Sequence, residues 1–447
     1  MLGIVVSRAD EASTHVAERL LALADWRERR DPTRPDAEGG GTYYAREGVE
    51  LREFEKLHLY LEEPATAFSD PDLLVFVSRH AGETGALLTA HFTGNVGPAD
   101  HGGADGDLAR AAPGAHDRVL AGLDEHAPEG YEVGMECTHH GPSRVGAPSM
   151  FVEVGSAEPQ WRDPEAAGAV ARAVLDLAGT DLGSDRTVVG FGGSHYAPRF
   201  TRIARETDWA IGHVAADWGL DAMDGADIDR SDVIEQMFGR SGATRAVIDG
   251  ERPAVERTVD ELGYETVSET WVREISGVHL GLLARLEDVL VGIESGLRLG
   301  DPAVGADRDA AFEMVTPDPD LLTTLHGIDA ERTRRAVAAN ALAFETAEGG
   351  SRVAGSLAVP PGAYDDLLEA FCGLLSERFE SVKRAGGELT VTERAFDPVR
   401  ARELGVPEGP AFGKLADWTS VDVDGRTIDP SDVHVRERIT YTGRQKS

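Results

Sequence analysis

Six of the fourteen histidines fall where an apolar run gives way to a glycine-containing segment: His80, His91, His139, His140, His195 and His213. Carboxylates and hydroxyls accompany them. Glu83 and Thr84 follow His80 in SRHAGETG, Glu136 leads ECTHHGP, and Glu153 sits between two valines in FVEVGS. Neutral imidazole is the commonest nitrogen ligand of zinc, and a catalytic zinc takes three protein ligands plus an open position. A carboxylate inside an apolar strand must meet a metal, a cation or a proton, because an unpaired buried charge is costly. For Glu153 the competing partner is Arg144. These residues suggest hydrolysis with His80, His91, His139, His140, Glu153, His195 and His213 as candidate metal ligands. Glu83, Glu136 and Thr84 are the candidate catalytic groups. No H-E-x-x-H or C-x-x-C pair is present, and a histidine taken singly is more often structural. The clustering carries the argument. Cys137 reads as a small buried thiol filling the core.

His139 and His140 are neighbours, so on an extended backbone they point to opposite faces and at most one enters the site. The spacing does not choose between them. Downstream, Gly192, Gly193 and Ser194 form a turn between a strand and a helix, where backbone N–H groups can cradle an anion. Arg199, Arg202 and Arg205 recur every third residue and line one helix face beginning beside His195. That basic stripe suits RNA phosphates. Pairing with Glu206 and Asp208 is the plainer alternative.

The elements that must position these groups alternate between strand and helix. LGIVV (2–6) is a first strand and not a signal peptide, 11–23 is a helix, TYYAR and LHLYLE read as strands, and Leu73–Val77 is a buried strand. Short strands at 131–137, 150–154, 187–191 and 209–213 alternate with helices at 116–124, 166–178, 199–206, 231–238 and 252–262. Residues 94–114 are glycine-rich and predict a mobile loop beside the site. Residues 278–298 are expected to be mostly helical, 331–344 and 364–383 long helices, and 355–359, 388–392 and 433–441 strands. The fold class is therefore α/β: a mixed-sheet, hydrolase-like N-terminal domain over 1–280 with helices on both faces. A subdomain break is expected near 215–240, and an α+β C-terminal region over 281–447.

Acidic residues outnumber basic ones 79 to 44, for a net charge of −35. Recurrent apolar strands exclude an acidic disordered chain. The balance fits a halophilic cytoplasm, where molar salt shortens screening to about 3 Å and makes self-repulsion tolerable. Two cysteines, far apart, fit a reducing compartment. No apolar run is long enough to span a membrane, and a monomer is expected.

The segments around His80, ECTHHGP, FVEVGS and GFGGSHYAPRF together resemble the archaeal and plant type of D-aminoacyl-tRNA deacylase, over roughly residues 1–275. The resemblance implies hydrolysis of the ester joining a D-amino acid to the terminal ribose of tRNA, a step of translation quality control. It also implies two zinc ions per subunit. Residues 281–447 show no such likeness and read as a halophile-like extension of unknown role. Two rival readings remain. A zinc amidohydrolase or carboxypeptidase-like enzyme on small substrates would have no use for the arginine stripe. A non-catalytic RNA-binding protein with structural zinc would need closed sites and more sulfur ligands.

Overall fold

The computed structural model describes residues 1–180 and 182–446, which divide into two units, Met1–Arg273 and Glu274–Ser447. The first is built on an eight-stranded mixed sheet. Its strand order is Arg27–Asp31, Gly41–Arg46, Val49–Phe54, Leu2–Ser7, Leu73–Arg79, Ser149–Gly155, Leu87–Phe92 and Glu132–Met135. Leu2–Ser7 and Ser149–Gly155 are buried at every residue, the continuous apolar pattern of strands covered on both faces. Helices Glu11–Leu23, Pro113–His126 and Pro164–Leu175 pack on one another and on the sheet. The first is capped by Asp10, whose carboxylate accepts from the N–H groups of Ala12 and Ser13. Val5, Leu74, Phe76 and Phe151 pack instead with Leu61, Ala65, Val145 and Ala147.

Two pairings set the register that matters. Ser149–Gly155 runs parallel to Leu73–Arg79 and antiparallel to Leu87–Phe92, placing Glu153 opposite Ser78 and Thr89, and Phe151 opposite His91. A second, all-parallel sheet follows, ordered Ala210–Ala215, Thr187–Gly192, Arg245–Asp249, Glu265–Thr266. The chain leaving Glu132–Met135 stitches the two sheets together. The Cys137 N–H donates to the His195 carbonyl and the Thr138 N–H to the Val214 carbonyl.

The second unit holds a five-stranded sheet, with Leu297–Leu299, Ala343–Ala347, Arg352–Val359, Glu313–Thr316 and Arg444–Lys446 in spatial order. Its core includes Leu325, Val337, Phe344, Leu357 and Phe371. A three-stranded antiparallel sheet, Ser381–Ala385, Glu388–Phe396 and His434–Thr442, completes it.

Several elements differ from the sequence reading. LHLYLE is no strand: His58–Tyr60 is a 3-10 turn, and the strand falls at Val49–Phe54. The long helix starts earlier, at Pro319, breaks its geometry at Asp329 and ends at Asn340. Asp329 restarts it by accepting from the Arg332 N–H. Residues 343–344 and 381–383, expected as helix ends, fall in the strands Ala343–Ala347 and Ser381–Ala385, and 278–298 contains α-helix only over Leu280–Val289, with a 3-10 turn at Ile293–Ser295. Short apolar runs there satisfy both periods.

The glycine-rich stretch 94–114 is the largest surprise. Asn95 is buried and donates its Nδ2 to the carbonyls of Gly102 and Ala104. A β-carbon on Gly141 would lie 2.5 Å from the backbone of Gly102 and Gly103. These glycines permit backbone-on-backbone contact and do not mark a hinge.

Candidate metal-dependent active site

Strand ends and the 136–140 connection bring eight of these groups into one place. His80 leaves Leu73–Arg79, His91 lies in Leu87–Phe92, Glu153 in Ser149–Gly155, and His195 follows Thr187–Gly192. Glu136 is 1% exposed and Glu153 2%. Around Glu136, His195 Nε2 stands 2.8 Å from Oε2, His80 Nδ1 3.1 Å from Oε1, and His139 Nε2 3.9 Å from Oε2. Although the His80 distance is short, it is off-axis, and Oε1 completes no hydrogen bond. Glu153 lies 3.7 Å from His80 Nδ1 and 3.8 Å from His91 Nε2.

These contacts decide the charges. Burial opposes ionisation of both carboxyls, yet the histidines overcome it. His195 and His80 hold Glu136 well below the usual carboxylate range, and His80 and His91 hold Glu153 near 2. Burial likewise works against protonation of His80, but Glu136 and Glu153 push its pKa up to about 11. His140 goes the other way: burial first, then repulsion from His91, lowers it to about 4.

A metal-ligating imidazole typically donates its other ring N–H to a carbonyl or carboxylate, which fixes the tautomer. Three histidines here do so. The Nδ1–H of His91 donates to Phe92 O (2.9 Å), that of His139 to Cys137 O (2.8 Å), and that of His140 to Gly141 O (3.0 Å). Each leaves Nε2 free, and the buried His91 Nε2 has no hydrogen-bond partner. Donor atoms of His91, His139 and His140 all lie within 4.8 Å of one another, as do those of Cys137, His139 and His195, and those of His80, Glu136 and Glu153. The donor chemistry and the orphaned nitrogen fit a bound metal ion.

The expectation that only one of His139 and His140 enters is corrected: both do, with ring centroids 4.3 Å apart. The chain is extended through them, as a two-residue strand paired with Gly94–Asn95, but the site closes around both sides of it, with His195 against the His139 ring and Phe151 against the His140 ring. His213 is brought close to the cluster but is spoken for. Its Nε2–H donates to Ala109 O, and its Nδ1 accepts from the Thr138 hydroxyl, both at 2.9 Å. Burial, as its main cause, lowers its pKa to about 4, so it acts as a neutral brace and not as a ligand.

Glu83 is exposed and makes no hydrogen bond or ion pair among the described residues. Thr84 Oγ1 lies 2.5 Å from Ser156 Oγ. The Glu153 partner is histidine, while Arg144 approaches Asp107 at 3.9 Å. The anion cradle at Gly192 and Gly193 is also corrected: the Gly193 N–H donates to the Asp217 carboxylate, and Asp249 lies against both glycines. Ser194 is exposed beside them. Arg199 pairs with Asp249 and Glu269, Arg202 with Glu269 and Arg205 with Asp124.

Two groups were not foreseen. Tyr196 OH lies 3.2 Å from His80 Nε2. It also lines a cavity of about 370 Å³ shared with Thr84, Thr89, Met135, Arg202 and Arg205. Thr89 is 1% exposed, and its hydroxyl has no partner. Neither carries a sequence signal, since an apolar strand tolerates Thr and a Tyr after His is unremarkable.

Comparison with known proteins places the chain in a family. The D-aminoacyl-tRNA deacylase family profile matches residues 67–267. A D-aminoacyl-tRNA deacylase of Halorubrum lacusprofundi is 54% identical over 98% of this chain and 96% of its own length, and that of Natronomonas pharaonis 52% over 98% and 99%. A crystal structure described as a conserved protein of unknown function superposes with a TM-score of 0.55 at 31% identity. It covers 61% of this chain and 96% of its own. With relatives from halophilic archaea aligned over nearly its whole length, the chain belongs to the D-aminoacyl-tRNA deacylase family.

Proposed function

We propose that the enzyme cleaves the ester of D-aminoacyl-tRNA with zinc, two ions per subunit, held by His91, His139 and His140 and by a second donor set that includes Cys137 and His195. The observation that carries this reading is the trio of imidazoles whose Nδ1–H groups are tied to carbonyls while Nε2 stays free. Zinc at such a site lowers the pKa of water to about 7 and polarises an ester carbonyl.

The protein's own groups do the rest. Glu136 and Glu153 are kept ionised by their histidines, so each is an acceptor for the proton of attacking water. His80, held cationic by both carboxylates, contacts Tyr196 OH at the cavity wall. This pair is placed to return a proton to the leaving ribose hydroxyl. The 370 Å³ cavity receives the aminoacyl group, with the unpartnered Thr89 hydroxyl as a polar contact for it. Arg202 and Arg205 on the cavity rim face the acceptor-end phosphates, exchanging Glu269 and Asp124 for them.

The test is metal analysis alongside deacylation of matched D- and L-aminoacyl-tRNA. Chelation is expected to abolish D-specific hydrolysis and zinc to restore it. Full activity in stringently metal-free protein overturns the reading.

A further inference from the structure

The three-stranded sheet of the second unit gathers cations on one face. Side chains alternate along a strand, and directly opposed residues share a face. Thr392 opposes Arg438, Arg394 opposes Arg436, and Lys383 opposes Thr390, which in turn opposes Thr440. One face therefore carries Lys383, Arg394, Arg436 and Arg438 among threonine hydroxyls, with Glu388 as its single acid at one end. Glu393 opposes Glu437 on the other, which also holds Arg384 opposite Leu389. In a chain of net charge −35 with four lysines, a cationic face runs against the whole composition.

Its local energetics are also unfavourable without a ligand. Like charges directly opposite on neighbouring strands are destabilising, and Arg394 faces Arg436. Glu380 relieves this only partly, at 2.9 Å from Arg394 and 3.6 Å from Arg436. Among the described residues Lys383 and Arg438 have no ion-pair partner, and both are exposed. The Arg436 side chain is 72% exposed. Hydroxyls accompany the cations: Thr390 and Thr440 touch across the strands at 3.0 Å. The row ends on an aromatic. Trp418, 52% exposed, stacks on His434 at 4.2 Å, and His434 belongs to the same face as Arg436. Cations with hydroxyls suit phosphate and ribose oxygens, and an exposed indole suits an unpaired base.

We infer that this face is a second RNA-binding surface, which holds the sugar-phosphate backbone of the substrate tRNA, with Trp418 stacking one unpaired base. The inference rests on the substrate being a tRNA, and on nothing about the metal site. It gives the second unit a role: anchoring the RNA while the first unit performs the hydrolysis.

The full chain is tested for binding to uncharged tRNA over a range of KCl in which circular dichroism shows the fold intact. Replacing Lys383, Arg394, Arg436 and Arg438 together by Thr keeps strand propensity and removes four cations. The dissociation constant is expected to rise at least about 10-fold. The slope of log K against log salt should shrink by about 3 to 4, since each phosphate contact contributes about 0.7 to 0.9. On D-aminoacyl-tRNA the change should fall on KM with kcat intact, and zinc-dependent hydrolysis of a small D-amino-acid methyl ester should not move. A wild-type enzyme inactive on every D-aminoacyl ester defeats the deacylase reading, whereas unchanged tRNA affinity in the variant defeats this one. Loss of binding to phosphatidylglycerol vesicles without loss of tRNA binding also overturns it. Should the quadruple variant not fold, Arg438→Glu and Trp418→Ala, both at exposed positions, must each weaken tRNA binding for the inference to stand.

Discussion

Replacing Glu153 with glutamine removes the charge that two histidines were folded around. Its carboxyl is held near pH 2 against an ordinary 4.5. At 1.36 kcal/mol per pH unit this corresponds to about 3 kcal/mol of stability at neutral pH. The sign follows from a depressed carboxyl. The contribution is complete above 4.5, where the unfolded group is also ionised, and is lost as pH falls through 2. At about 2–4 °C per kcal/mol for a unit of this size, Glu153→Gln should lower the melting temperature of metal-free protein by about 6–12 °C. Because the group is fully buried, the deficit should persist in molar salt, which would erase a surface pair. Differential scanning calorimetry of the metal-free full chain at neutral pH, repeated at low and high KCl, measures it. Zinc content of the reconstituted variant should fall at the same time, since His80 and His91 lose their shared partner. A variant that melts with wild type and keeps its full zinc complement would refute the reasoning.

Three further outcomes are expected. Burial depresses His116 and His213 to about 4 from an ordinary 6.5. The unfolded chain therefore binds more protons between those values, and stability should decline from pH 6.5 toward 4, by up to about 3 kcal/mol per histidine; urea titrations flat over that interval contradict this. Arg199, Arg202 and Arg205 changed together to Gln should raise KM for charged tRNA with little change in kcat. Their ion pairs are half-exposed at the surface and worth about 0–1 kcal/mol each, so stability should hardly move, and an unchanged KM would leave these arginines as surface pairs only. A chain ending at Arg273 should fold cooperatively, bind zinc and retain D-specific hydrolysis. If it is soluble, folded and zinc-loaded yet inactive, an essential residue lies beyond it.

What the sequence disclosed follows from where its signals are local. The buried strands announce themselves because β-branched runs have no other plausible home. Glu153 stands out because a carboxylate between valines needs a partner. His80, His91, His139, His140 and His195 share a visible habit of following apolar runs into glycine. What stayed hidden is non-local. That His213 is braced by Ala109 depends on a contact between residues 104 positions apart. The occupied Gly193 N–H depends on Asp217 arriving from beyond the next helix and strand, and the entry of both His139 and His140 on groups that flank their two-residue strand from either side. Ion pairing of the arginine stripe was the plainer alternative, but Asp124, Asp249 and Glu269 could not be named from helical spacing.

The glycine clasp around Gly102, Gly103 and Gly141 has an evolutionary corollary. Gly141 adjoins His140, and even a methyl group there would strike the backbone of the crossing loop. Positions that never touch substrate are thereby tied to the placement of two candidate metal ligands. In a map of mutational tolerance they should appear as cold as the histidines themselves, with alanine no gentler than larger residues. Drift in this enzyme would then be freest on its acidic surface and most constrained in a stretch whose composition resembles a linker.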